Sequence, residues 1–76
     1  MRIEEFKMER ENLVATGDRV EIVEYPLPSS WYYTIQPAVA MSRNYQFAER
    51  IKSREGIVKE IVHTERGFFV QVEFDE

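Results

Sequence analysis

The stretch that decides the fold is Phe68-Phe69-Val70-Gln71-Val72-Glu73-Phe74-Asp75, in which Phe68, Val70, Val72 and Phe74 alternate with Phe69, Gln71, Glu73 and Asp75. A period of two places the first set on one face of a strand and the second on the other. β-Branched and aromatic side chains suit a pleated surface packed on a core, so this is a half-buried strand. Upstream, Ile57 and Val58 are separated from Ile61 and Val62 by Lys59 and Glu60, which strict alternation does not explain. One extra residue near Lys59 would shift the pleat and let both Val58 and Ile61 face inward, bending the strand as a small barrel requires. Between the two runs, His63 to Gly67 make a hairpin connection in which Gly67 is free to take positive φ. The hairpin is expected over residues 56 to 75.

Working outward, Gly17 and Asp18 form a turn pair that opens an earlier strand through Val20, Ile22 and Tyr25, which Pro26 and Pro28 stop. Trp31 to Ile35 has strand composition. Residues 38–54 admit two readings. Met41, Tyr45, Ala48 and Ile51 recur at helical spacing, with Pro37 suited to a helix start and Gly56 to its end, and this is the preferred one. The rival uses Tyr45, Phe47 and Ile51 as strand residues. Ile3, Phe6, Arg10 and Leu13 also stand at helical spacing, so residues 1–14 are expected to form a short helix or a frayed arm.

The chain has 76 residues, ten Lys and Arg against fourteen Asp and Glu for a net charge of −4, and no cysteine. That length suits a single domain, residues 1–76, with little surplus stability. Without cysteine there is no disulfide framework, thiolate nucleophile or thiolate metal site. No apolar run approaches the ~20 residues that cross a bilayer, and Glu4, Glu5, Glu9 and Glu11 do not suit a signal peptide. A cytoplasmic protein with no membrane association is expected. Charge is segregated: residues 1–25 hold four bases and seven acids, residues 26–42 hold none, residues 43–66 hold six bases and four acids, and the tail carries Glu73, Asp75 and Glu76.

The run Gly17 to Val23 (GDRVEIV), followed by Glu55 to Ile61 (EGIVKEI) and Phe69 to Asp75 (FVQVEFD), resembles the strand order of Src-homology-3-like small β-barrels, most of all the KOW-type and related bacterial domains. The resemblance covers about thirty residues. It implies a small barrel or strongly bent antiparallel sheet. A KOW unit has a short basic, glycine-rich link between its first two strands, whereas this chain interposes residues 24–54, so the expected fold is mainly β with some helix, that segment being inserted as a loop and helix between the first strand and the C-terminal hairpin. The resemblance also implies nucleic-acid or ribosome binding as one function.

Enzyme chemistry finds little support. His63 is the single histidine and lies beside a turn, where a solvated imidazole is the simpler reading than a catalytic base. His63 and Glu65 could share a strand face, but no third ligand joins them, so no metal is expected. Glu21, Glu24, Glu73 and Asp75 read as a solvated charged face rather than an acid–base pair. Gly17, Gly56 and Gly67 stand too far apart for a phosphate-binding loop, and neither a cofactor nor a small-molecule site is expected. Binding is the better expectation. Adjacent aromatics on a strand point to both faces, so Trp31, Tyr32 and Tyr33 cannot all enter the core, and Phe69 lies on the polar face of its strand. These four are the candidate partner-binding residues of a non-catalytic module that contacts a protein or a second copy. Should the partner be a nucleic acid, Arg43, Arg50, Lys52 and Arg54 are the candidates, although Glu49, Glu55 and the net charge oppose a polyanion.

Overall fold

The computed structural model describes residues 1–36 and 40–76. Six strands form it: β1 (Arg2–Met8), β2 (Arg19–Pro26), β3 (Trp31–Ile35), β4 (Ala40–Ser42), β5 (Glu55–Thr64) and β6 (Gly67–Phe74). They pair antiparallel in the order β1-β4-β3-β2-β5-β6, and β6 returns to β1 with Phe6 opposite Val70, closing a small barrel. This architecture is mainly β and compatible with the Src-homology-3-like resemblance. Among the described residues no helix is long and apolar enough to cross a membrane.

The C-terminal hairpin follows the alternation of its sequence. Val70, Val72 and Phe74 are fully buried and Phe68 packs against the core from its rim. The register slips between Val58 and Glu60, where the bulge at Lys59 was expected, so that Val58 meets Val72 and Ile61 meets Val70. Gly67 closes the turn at φ 131°. Gly56 is needed for a different reason: a Cβ there would stand 2.6 Å from Val72 Cγ1 and 2.9 Å from the Glu73 carbonyl oxygen. Gly17 takes φ 95°, and the adjacent turn is tied by the Ala15 amide donating to Asp18 Oδ2 at 2.8 Å.

Three expectations are corrected. Within residues 1–14, expected as a short helix or a frayed arm, Arg2–Met8 form β1, with Arg2, Glu4, Phe6 and Met8 on its inner face, and turns follow it. Two charged residues hold inward positions, which hides the alternation. Among the described residues of 38–54 the expected helix is absent: β4 occupies Ala40–Ser42, and a 3-10 turn spans Phe47–Glu49. Of the four residues at helical spacing only Tyr45 and Ile51 are buried, while Met41 faces solvent on β4; the rival strand reading fails too, because Phe47 is exposed. Finally, residues 24–54 are not an insertion carrying a helix, since β3 and β4 are staves of the barrel itself. Pro37, the expected helix start, lies outside the described residues.

Candidate functional site

At the end of the barrel where β1 and β3 begin and β2, β4 and β6 finish, inward positions are polar. Arg2 and Glu4 come from β1 and Glu24 from β2. Charge inside a sheet persists only when paired and hydrogen-bonded. The chain from Arg43 to Arg54 crosses this end and supplies partners. Tyr45 and Ile51 insert as apolar plugs, and Trp31 and Tyr45 exchange backbone hydrogen bonds of 3.0 and 2.7 Å.

Two linked networks result. In one, the Tyr33 hydroxyl donates to Glu24 Oε2 at 2.6 Å and accepts the Ile51 amide at 2.9 Å, while the Arg50 guanidinium donates to both Glu24 oxygens at 2.9 and 2.5 Å. The hydrogen bonds from Arg50 hold the Glu24 carboxyl below its ordinary range, and burial raises the Tyr33 hydroxyl. In the other, the Tyr45 hydroxyl donates to Glu4 Oε1 at 2.7 Å, Arg2 Nε donates to Glu4 Oε2 at 2.6 Å, and Arg2 also donates to the Glu49 and Arg50 carbonyls. Burial, with Glu4 second, pushes the Tyr45 hydroxyl far up. No buried side-chain polar atom among the described residues is left without a partner.

Outside these networks an aromatic and cationic corner stands in solvent. The 3-10 turn is fixed by the Gln46 amide donating to Glu49 Oε1 at 3.1 Å, which also depresses the Glu49 carboxyl, and the turn lifts Phe47 to 71% exposure. The Phe47 ring lies 5.8 Å from that of half-buried Trp31, with the Arg50 guanidinium 4.7 Å from the indole centroid. Cation–π contact of this kind contributes about 0.5–1 kcal/mol and holds the rings in place. Beside them a groove of about 830 Å³ runs between the Ile22–Glu24 portion of β2 and the chain from Phe47 to Arg54.

The residues singled out in the sequence fall into several places. Trp31 belongs to the corner. Tyr32 lies on the outer face, stacked on Tyr25 with centroids 5.1 Å apart. Tyr33 is 1% exposed and packs edge-on against Tyr45, so its ring is core. Phe69 sits on the outer face toward the other end of β6, between Lys7 of β1 and Val62 of β5, and does not join Trp31. Among the cations, Arg43 lies over the Tyr45 ring at 4.0 Å and pairs with Glu49, and Arg50 is held by Glu24. Glu24 is therefore no part of a solvated face. Lys52 and Arg54 line the groove, and neither has a carboxylate within 4.0 Å among the described residues. His63 is exposed and stacks on Phe68 at 4.3 Å. Sequence reasoning missed Phe47, Arg2, Glu4 and Tyr45 as site residues. A capping pair of Gln46 and Glu49 three apart was the available signal that a turn would raise Phe47.

Set against known protein families, curated proteins and solved structures, the chain matches none.

Proposed function

We propose that the chain is a non-catalytic protein-interaction module of the Src-homology-3-like type, using the corner of Trp31, Phe47 and Arg50 with the groove beside it. The observation that carries this reading is the Phe47 ring, 71% exposed yet braced against Trp31 and Arg50. A large ring already fixed in solvent loses little entropy on binding and displaces much water, which is what anchors of protein interfaces do. The absence of cysteine accords with a cytoplasmic setting. No cofactor or catalytic group enters the reading.

The alternative is a KOW-like nucleic-acid or ribosome-associated domain. Lys52 and Arg54 beside an exposed aromatic favour it, since single strands bind to stacking platforms flanked by cations. It ranks second because Arg43 and Arg50 are neutralised by Glu49 and Glu24 and the chain carries a net −4.

Selection of displayed peptides against the full chain, with backbone amide shifts locating the bound ones, tests both. Selected peptides are expected to shift residues 47–54, and Phe47→Ala to weaken them by about 1–3 kcal/mol with an unchanged melt. Peptides mapping only to other faces overturn the groove reading. A single-stranded RNA titration whose affinity falls with salt at a log-log slope near −0.7 per phosphate promotes the alternative. Sedimentation of the chain alone identifies self-association, in which case the partner is a second copy.

A further inference from the structure

The Glu76 side chain lies beyond the last strand, yet it is the most fully coordinated carboxylate outside the barrel. Its Oε1 accepts from two successive backbone amides, Lys52 N at 2.9 Å and Ser53 N at 2.7 Å, and its Oε2 accepts from Arg2 Nη1 at 3.2 Å. Adjacent amides converging on one oxygen, with a guanidinium on the other, form a donor set suited to any carboxylate. Nothing in the strand pairing depends on Glu76, because β6 ends at Phe74 and its register with β1 ends at Arg2.

Lys52 and Ser53, whose amides make the seat, also line the groove, together with Arg54. Arg2, Lys7, Arg19, Arg43, Arg50 and Lys59 each have a carboxylate within 4.0 Å, whereas Arg10, Lys52, Arg54 and Arg66 have none among the described residues, and of these four Lys52 and Arg54 line the groove. In a chain of net −4 the groove thus keeps uncompensated positive charge. Complementary charge selects an acidic partner.

We propose that the Lys52 and Ser53 amides with Arg2 form a carboxylate-recognition seat for an acidic side chain of a protein partner lying in the groove, and that Glu76 is its internal competitor. Lys52 and Arg54 then meet a neighbouring acid of the same segment, and Phe47 covers an apolar residue next to it. The inference rests on the protein-binding reading and adds the chemistry of the partner: an acidic segment carrying at least one large apolar side chain. Occupancy by Glu76 lowers the apparent affinity by the fraction of time the seat is free.

The test uses the isotopically labelled full chain and an acetylated, amidated Phe-Glu-Glu-Leu peptide, with its Phe-Gln-Gln-Leu counterpart as control. The acidic peptide is expected to shift the Lys52 and Ser53 amides, to bind Glu76→Ala about tenfold more tightly than the parent, and to lose this gain when Gln replaces Glu. Equal affinity for parent and variant, or shifts that spare both amides, overturns the proposal. Should Glu76→Ala fold poorly, the parent alone decides: the Glu76 side-chain carboxyl resonance must move as the acidic peptide saturates, and a stationary resonance overturns the seat. The two readings fail separately. If Phe47→Ala weakens displayed peptides while Glu76→Ala changes nothing, the groove stands and the seat is lost; if Glu76→Ala alone has its effect, the seat stands and the corner is not an anchor.

Discussion

Tyr33 and Glu24 face one another across β2 and β3, with the Tyr33 hydroxyl 2.6 Å from Glu24 Oε2, so a ring that belongs to the core carries its polar end out to the one carboxylate that holds Arg50. Core and corner are therefore mechanically joined. Arg50 can brace Trp31 and Phe47 because Glu24 fixes its guanidinium, and Glu24 is fixed in turn from the core side.

The first prediction removes that link. Tyr33→Phe keeps the packing against Tyr45 but strips the hydroxyl, leaving the buried Ile51 amide without its acceptor and Glu24 with Arg50 as its remaining donor. Loss of one partner from a buried pair costs about 1–3 kcal/mol, so the urea midpoint is expected to fall by a corresponding amount. An unchanged midpoint would mean that the hydroxyl does not organise this end of the barrel.

The second concerns the close approach of β5 to β6 at Gly56. Gly56→Ala places a methyl group against Val72 Cγ1, the Glu73 carbonyl and Phe74 Cδ1, all at 2.9 Å or less. Backbone cannot yield as a flexible side chain does, and overpacking of this kind costs about 1–3 kcal/mol or more. A melt lowered by several degrees is expected, against little change for Gln71→Ala on the outer face. Equal melts would place Gly56 away from the core.

How far the sequence could be read follows from where its periodicity was intact. The alternation of Phe68 to Phe74 and the mispaired Val58 and Ile61 gave the hairpin and its bulge, because apolar residues fill every inward position there. β1 escaped because Arg2 and Glu4 take two inward positions, tolerated only because Tyr45, Glu76 and the Glu49 and Arg50 carbonyls satisfy them from far along the chain. The chain from Arg43 to Arg54 carries a helical spacing that it does not follow: it is held by isolated hydrogen bonds to residues distant in sequence, which no local pattern encodes. Of the candidate site, Trp31 and Arg50 were readable as an aromatic beside a proline-rich turn and a cation in a basic stretch. Phe47 was not, since its role depends on a three-residue turn placing it opposite Trp31.

The third prediction is the acid limb of stability. Glu24 titrates below its ordinary 4.5 because Arg50 donates to it, and Glu49 and Glu76 are depressed as well, Glu49 by the Gln46 amide and Glu76 because the Ser53, Lys52 and Arg2 donors outweigh its burial. A carboxyl whose pKa is lower folded than unfolded contributes stability that is fully present above the unfolded value and is lost as pH falls through the folded one. Stability should therefore be flat near neutrality and decline from just above pH 4.5 downward, with protons taken up on unfolding. Glu24→Gln removes one of these linkages. It leaves Arg50 partly exposed and unpaired, which lowers stability at pH 7, and it makes the decline below pH 4.5 shallower than in the parent. Urea midpoints across that range measure both effects. A variant whose midpoint falls with acid as steeply as the parent's would show that Glu24 titrates alike in the folded and unfolded chain, and that Arg50 does not hold it.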